Sequence, residues 1–249
     1  MSGSKQRIAD LVEALQATLE KIHELESGGR SRGGGRDDGK GPLPHGPATE
    51  QQILDFERRL GKAFPPLYRE FLRLHNGWER SWGDMTFIGV SGAHTQSVLK
   101  KVEEYVQFQR DEELAGVLNS FSDSEVAAWE SRDPRNLYLP NHLGFATNFA
   151  GELLIFDART RRSNGEMSIV YWTLDYGAWE ERRHEDFGQF LAWASSEADA
   201  TLERLLDEEK KRAARRKPGR REAKKERKPG SGKPSRGKAA AVKRKPKRH

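Results

Sequence analysis

TEQQILDFERRLGKAFPPLYREFLRLHNGW, residues 49–78, decides how this chain is read. It spells two short amphipathic helices joined by a fixed corner. Thr49 is placed to cap the first helix, with Gln52 as its reciprocal partner three residues on. Ile53, Phe56, Glu57 and Leu60 follow at helical spacing, and Gly61 stops the helix. Phe64-Pro65-Pro66 forces an extended corner, because each proline lacks a donor and restricts the residue before it. Leu67, Tyr68, Phe71, Leu72 and Leu74 form the second helix. Asn76-Gly77 ends it, since either residue tolerates the left-handed conformation. Gly61, Pro65, Tyr68, Phe71, Asn76 and Gly77 are therefore read as the structural residues of the motif.

Outward from this segment, composition sets bounds. All 22 aromatic residues of the 249-residue chain lie between Phe56 and Trp193, which places the core in one ordinary domain. There are no cysteines, which excludes disulfides, iron–sulfur clusters, thiol nucleophiles and cysteine zinc sites, and suits a cytoplasmic location. The N-terminal run is interrupted by charges and reads as neither signal peptide nor membrane span. The net charge of +6 conceals a split. Lys210 to His249 holds 20 Lys/Arg against 2 Asp/Glu, a net +18, while the other 209 residues hold 24 against 36, a net −12.

Four segments follow. Residues 1–26 carry an amphipathic helix, with Ile8, Leu11, Val12, Leu15, Leu19, Ile22 and Leu25 on one stripe. That stripe serves either docking on its own domain or coiled-coil association with a partner, although three heptads are short for the latter. Residues 27–47 form a Gly/Arg/Pro-rich linker. Its Gly39-Lys40 is followed by Gly41 rather than Ser or Thr, so it is no phosphate loop. Its single Arg32-Gly33-Gly34 is too little for an RNA-binding repeat. Residues 48–206 form an α+β domain with a mostly antiparallel sheet flanked by helices. Its expected strands are 84–89, 136–140, 142–149, 153–156 and 168–172, the last two a hairpin whose loop contains Asn164-Gly165. Its further helices are 94–109, 122–130 and 185–206. Residues 207–249 are read as a disordered basic tail with no aromatic residue, although 207–216 suit a continuation of the last helix before Pro218.

The run Leu60 to Gly77, with its leucine–glycine, proline corner and aromatic helix ending in asparagine–glycine, resembles the opening of the SUKH superfamily. Those are immunity-protein-like domains of bacterial toxin systems, also found in fungal cell-wall assembly regulators. The resemblance extends over roughly residues 45–195, through Leu137 to Gly151, Leu153 to Asp157, and Phe187, Phe190 and Leu191. The helical insert from Ser91 to Asp133 departs from it. The resemblance implies a binding domain without catalytic residues or cofactor, whose leading role is to neutralise a toxin, a nuclease for example. An acidic body is suited to a basic partner of that kind through electrostatic steering.

The residues announce no chemistry of their own. The seven histidines lack metal-ligand spacing, so no metal site is predicted. His142 and His184, with Glu185 and Asp186 nearby, are read as surface hydrogen-bonding groups. Glu79, Asp84, Glu152 and Asp157 are read in capping or turn roles rather than as paired acids. The candidate partner surface comprises Trp78, Glu79, Trp82 and Asp84 together with Asp175, Trp179, Glu180 and Glu181, aromatic and acidic residues beside glycines and charges. The tail residues Lys210, Lys211, Arg212, Arg215, Arg216, Lys217, Arg220, Arg221, Lys224 and Lys225 are candidate polyanion contacts. Nonspecific nucleic acid, an anionic membrane surface and the acidic body itself all remain open as their target. The alternative to a toxin-binding role is accordingly a nucleic-acid-associated scaffold anchored by the tail.

Overall fold

The computed structural model describes residues 2–29, 42–113 and 121–216. Among them are six α-helices: α1 (Ser2–Gly29), α2 (Glu50–Leu60), α3 (Pro66–Leu74), α4 (Ala93–Phe108), α5 (Asp123–Arg132) and α6 (Phe187–Arg216). Seven strands complete the body: β1 (Leu43–Pro44), β2 (Trp78–Glu79), β3 (Thr86–Phe87), β4 (Leu143–Thr147), β5 (Glu152–Asp157), β6 (Ser168–Thr173) and β7 (Gly177–His184). The chain divides into a body, Met1–Glu208, and a C-terminal unit, Glu209–His249, of which only the end of α6 is described.

The strands form one antiparallel meander in chain order, so the fold is α+β with helices on both faces of the sheet. One face carries the larger core. Leu154, Phe156, Ile169 and Tyr171 meet α1, α2, α3 and α6 there. The other face carries Leu153, Ile155, Val170, Trp172 and Ala178, covered by Tyr105 and Val106 of α4 and by Leu137 and Leu139. Strand alternation along β5 and β6 divides the two cores.

The opening motif forms as its residues dictate. Thr49 and Gln52 close a reciprocal capping box, and Gly61 ends α2 with φ +68°. Pro65 is extended and Pro66 starts α3, where its missing N–H costs nothing. Tyr68 is wholly buried between Phe64, Phe71, Phe145, Phe156 and Phe187, and donates its hydroxyl to the Ile88 carbonyl at 2.7 Å. The amphipathic stripe of α1 packs into the same core. Ile8, Val12 and Leu15 are buried, with Leu11, Leu19 and Ile22 beside them, and Thr18 donates to Asp199 of α6 at 2.9 Å.

The structure corrects three expectations. Residues 136–140 are not a strand. The Tyr138 and Leu139 N–H groups donate to the Glu130 and Gln109 side chains, and 139–141 form a 3₁₀ turn around Pro140. Of residues 84–89 only Thr86 and Phe87 pair as a strand, because the Gly89 and Val90 N–H groups donate to Thr95 and Asn76 side chains. Residues 207–216 continue the last helix as their sequence suits, α6 running to Arg216. Asn76-Gly77 does not supply a left-handed cap, since α3 ends at His75 with φ −140°. Gly77, at φ +87°, instead allows a close approach: a Cβ there would lie 2.5 Å from His94 Nε2 and 2.8 Å from the Phe87 carbonyl oxygen.

Candidate functional site

The Asn76 side chain ties the end of α3 to the segment before α4, accepting from the Val90 N–H at 2.6 Å and donating to Ser91 at 2.9 Å. From this anchor the chain enters β2 and then a tight loop, residues 80–85. Ser81 closes the loop by donating both its N–H and its hydroxyl to the Met85 carbonyl, at 2.8 and 2.7 Å. Within it Arg80, Gly83 and Asp84 all take positive φ, at +52°, +61° and +60°. Left-handed backbone at two non-glycine residues costs about 1–2 kcal/mol each, and such strain concentrates where a loop presents side chains for function.

The loop forms one wall of a groove of about 930 Å³. The C-terminal half of α1 and the middle of α6 supply the opposite walls. Trp82 lies in it, its ring 4.6 Å from Trp193 and 6.1 Å from Phe190. Glu26, Glu79, Asp84 and Glu197 line it against Arg80 as the single Lys or Arg among the described residues, so the groove is acidic. Phe149, 45% exposed and also at positive φ (+62°), adds an aromatic ring to its rim.

Three of the four residues proposed from the first half of the partner surface, Glu79, Trp82 and Asp84, therefore share this groove. Trp78 does not. It is 0% exposed, with its ring against Phe87 and His75, because the neighbouring glycine serves close backbone packing rather than a surface turn. The second half is divided by the sheet. Trp179 sits across from Tyr171, which in turn meets Trp82, and the Arg182 guanidinium covers both Tyr171 and Trp179 at about 5 Å. Glu180 is engaged by Arg183 at 2.7 Å. Glu181 is exposed near Arg135, and exposed Asp175 lines a separate cleft of about 280 Å³ with Arg135 and Tyr176. Phe149 and Glu197, missed in the sequence, carry no local signal and join the groove only through folding. In the tail, Lys210, Lys211, Arg212 and Arg215 are exposed on α6 and Arg216 ends it. Lys217, Arg220, Arg221, Lys224 and Lys225 lie outside the described residues.

At Glu79, one of the groove's lining residues, three ionisable side chains converge from separate elements. His45 follows β1, Glu79 lies on β2 and His94 opens α4; one donor atom from each lies within 4.8 Å of the others. The His45 and His94 rings stack at 3.9 Å, and His45 Nε2 meets Glu79 Oε1 at 2.9 Å. Burial, and secondly the neighbouring His45, push the His94 pKa below its ordinary value, against the pull of the Asn76 carbonyl and Glu79.

A sequence profile of the SMI1 / KNR4 family (SUKH-1) matches residues 47–193, more than half of the chain. The chain belongs to the SMI1 / KNR4 family. No curated protein gives a significant match. The matched span takes in the opening motif, the whole meander from β2 to β7 and the start of α6. Of the groove, this SUKH-1 span supplies the strained loop and Phe149, while α1 and the Glu197 stretch of α6 fall outside it.

The second cluster of ionisable groups in this SUKH-1 body is internal. His142 is not the surface group expected from sequence. Its Nε2 meets Glu130 at 2.6 Å and its Nδ1 accepts from the Ala158 N–H at 3.1 Å, so both ring nitrogens are taken. Burial raises the Glu130 pKa, but the hydrogen bonds from His142 and the Tyr138 N–H outweigh it and hold the carboxylate below its usual range. Asp157, 1% exposed, binds Arg159 at 2.8 Å and Arg183 at 2.9 Å. These arginines overcome burial and hold Asp157 down at about 2. The network fastens α5 and its following loop to β5 and β7. His184 is likewise buried, against Phe190 and Trp193, and burial lowers its pKa. Asp186 caps α6 by accepting from the Gln189 N–H at 2.9 Å. The imagined acid pairs are absent among the described residues: Glu79 meets His45, Glu152 meets Asn148 and Asp157 meets arginines. No described helix is long and apolar enough to cross a membrane.

Proposed function

We propose that this SUKH-1 chain is a non-catalytic protein-binding module of the immunity type. It takes a basic segment of a partner, with a cationic toxin such as a nuclease as the leading case, into the groove between α1, α6 and the 80–85 loop. The carrying observation is the groove itself: four carboxylates around a partly buried tryptophan, on a loop held in a strained conformation. A tryptophan flanked by complementary charge is a common energetic centre of protein interfaces. The net −12 of the chain outside its tail adds long-range attraction for a cationic partner. Binding is stoichiometric, needs no cofactor and takes place in the cytoplasm.

The test is capture by the full chain at moderate salt, with nuclease treatment to remove bridging nucleic acid. It is run in parallel with Asp84→Lys/Glu197→Lys. Wild type should retain one basic protein at a 1:1 ratio. The reversal should weaken that complex at least about tenfold, since like-charge juxtaposition costs more than about 1.4 kcal/mol. The melting temperature should fall by no more than a few degrees, because both side chains are solvent-facing and only Asp84, at φ +60°, carries a backbone preference that lysine lacks. Equal retention by both proteins removes the groove from the account.

The tail supports a second activity. Its net +18 favours polyanions through counterion release, so retention of nucleic acid by the full chain should fall steeply with salt. The tail then holds the protein near nucleic acid, while the groove recruits the partner.

A further inference from the structure

We propose that His45, Glu79 and His94 form a binding site for a divalent transition metal of the zinc class. Two imidazoles and one carboxylate make a donor set that borderline metals prefer and that magnesium or calcium does not. The three come from three elements distant in sequence, and one donor atom from each already lies within 4.8 Å of the others. Zinc ligands sit about 2.0–2.2 Å from the ion. The stacked rings must therefore turn apart and the donors draw together. His45 and Glu79, whose side chains are 34% and 40% exposed, have room to do so.

The surroundings support the donors as an outer shell supports metal ligands. The His94 ring is held by the Asn76 carbonyl at 3.1 Å and by the Thr95 hydroxyl at 3.2 Å. It lies against Gly77 and Gly92, where an added Cβ would come within 2.5 and 2.9 Å of it. The backbone of His45 is fixed from both sides: its N–H donates to the Gly77 carbonyl at 3.1 Å and its carbonyl meets His75 Nδ1 at 3.2 Å. Three protein ligands leave a coordination position for water or an outside group. Bound metal pins the segment leaving β1 to β2 and to the start of α4. Glu79 is shared with the partner groove, but metal binding is tested on the free protein and so is judged separately from the partner reading.

The experiment uses the full chain, purified without an affinity tag and stripped with chelator, then titrated with zinc by calorimetry and melted with and without it. Wild type should bind one equivalent. Its melting temperature should rise by about 5–10 °C at a hundredfold excess over the dissociation constant. Glu79→Gln keeps a hydrogen-bonding partner for His45 and removes the charged ligand. Glu79→Gln and His45→Ala should each weaken zinc at least tenfold while melting like wild type in the absence of metal. Magnesium should not shift the melt. Absence of one-equivalent zinc binding, unchanged zinc affinity in both variants, or an equal response to magnesium overturns the assignment.

Discussion

Replacing Asp157 with asparagine tests the electrostatic account of the fold. The carboxylate is buried between Arg159 and Arg183, which hold its pKa at about 2 against an ordinary 3.8. A difference of nearly two units is worth about 2.5 kcal/mol of stability at pH 7. The pKa is depressed in the folded state, so this stability is fully present above about pH 4 and is lost as pH falls towards 2. The asparagine side chain would keep the shape and an acceptor oxygen but leave two guanidiniums facing a neutral group. Breaking a buried pair costs about 3–5 kcal/mol, so 2.5 is the lower bound of the expected loss. For a body of this size that is roughly 5–10 °C in melting temperature. Urea unfolding followed by tryptophan fluorescence at pH 7 and near pH 2 measures it directly. Asp157→Asn should be destabilised at pH 7 and approach wild type near pH 2, as the wild-type carboxylate takes up its proton. A gap equally large at both pH values, or none at pH 7, refutes the reasoning.

Three other outcomes follow from the geometry. Leu15→Ala, in the wholly buried part of the α1 stripe, should cost about 3 kcal/mol in urea unfolding, whereas an α1 outside the core would give nearly nothing. Gly77→Ala should cost about 3 kcal/mol or more, while Gly83→Ala, at similar φ but with open space around it, should cost about 1 kcal/mol; comparable melts for the two would remove the close-approach argument. Truncation after Glu208 should abolish salt-dependent retention on duplex DNA but leave capture of the protein partner intact, and DNA retention by the truncated chain would show that the tail is not the polyanion site.

The segment from Thr49 to Gly77 was legible because its signals are local. A capping box, a glycine stop and a double-proline corner each act within a few residues, and all three form as read. The β5–β6 hairpin was legible from its β-branched and aromatic runs, with Gly165 taking the positive φ its turn needs. Strand β7 was not. Glu180, Glu181, Arg182 and Arg183 hide its alternation: Glu180 and Arg183 pair with each other, Arg183 also meets Asp157, Arg182 covers aromatic faces across the sheet, and Glu181 is exposed. Residues 136–140 misled in the opposite sense. Their apolar content suits a strand, but the Glu130 and Gln109 side chains take the N–H groups that a neighbouring strand would have bonded. Of the candidate site, Glu79, Trp82 and Asp84 were legible as aromatic and acidic residues beside glycines. Trp78 carried the same local signal and proved to be core. Distinguishing them required knowing which face of a two-residue strand meets Phe87. The role of α1 also bears on experiment: a fragment starting near residue 45 would lack Ile8, Val12 and Leu15 and expose the core they cover, so binding studies require the full chain.

The most direct test of the groove as the docking surface is amide hydrogen exchange on the complex between the full chain and its captured partner. The account predicts added protection in residues 78–86 and 193–201, with the α4–α5 side unchanged. Protection confined to α4, α5 or the β6–β7 turn, with residues 78–86 exchanging as in the free protein, contradicts it.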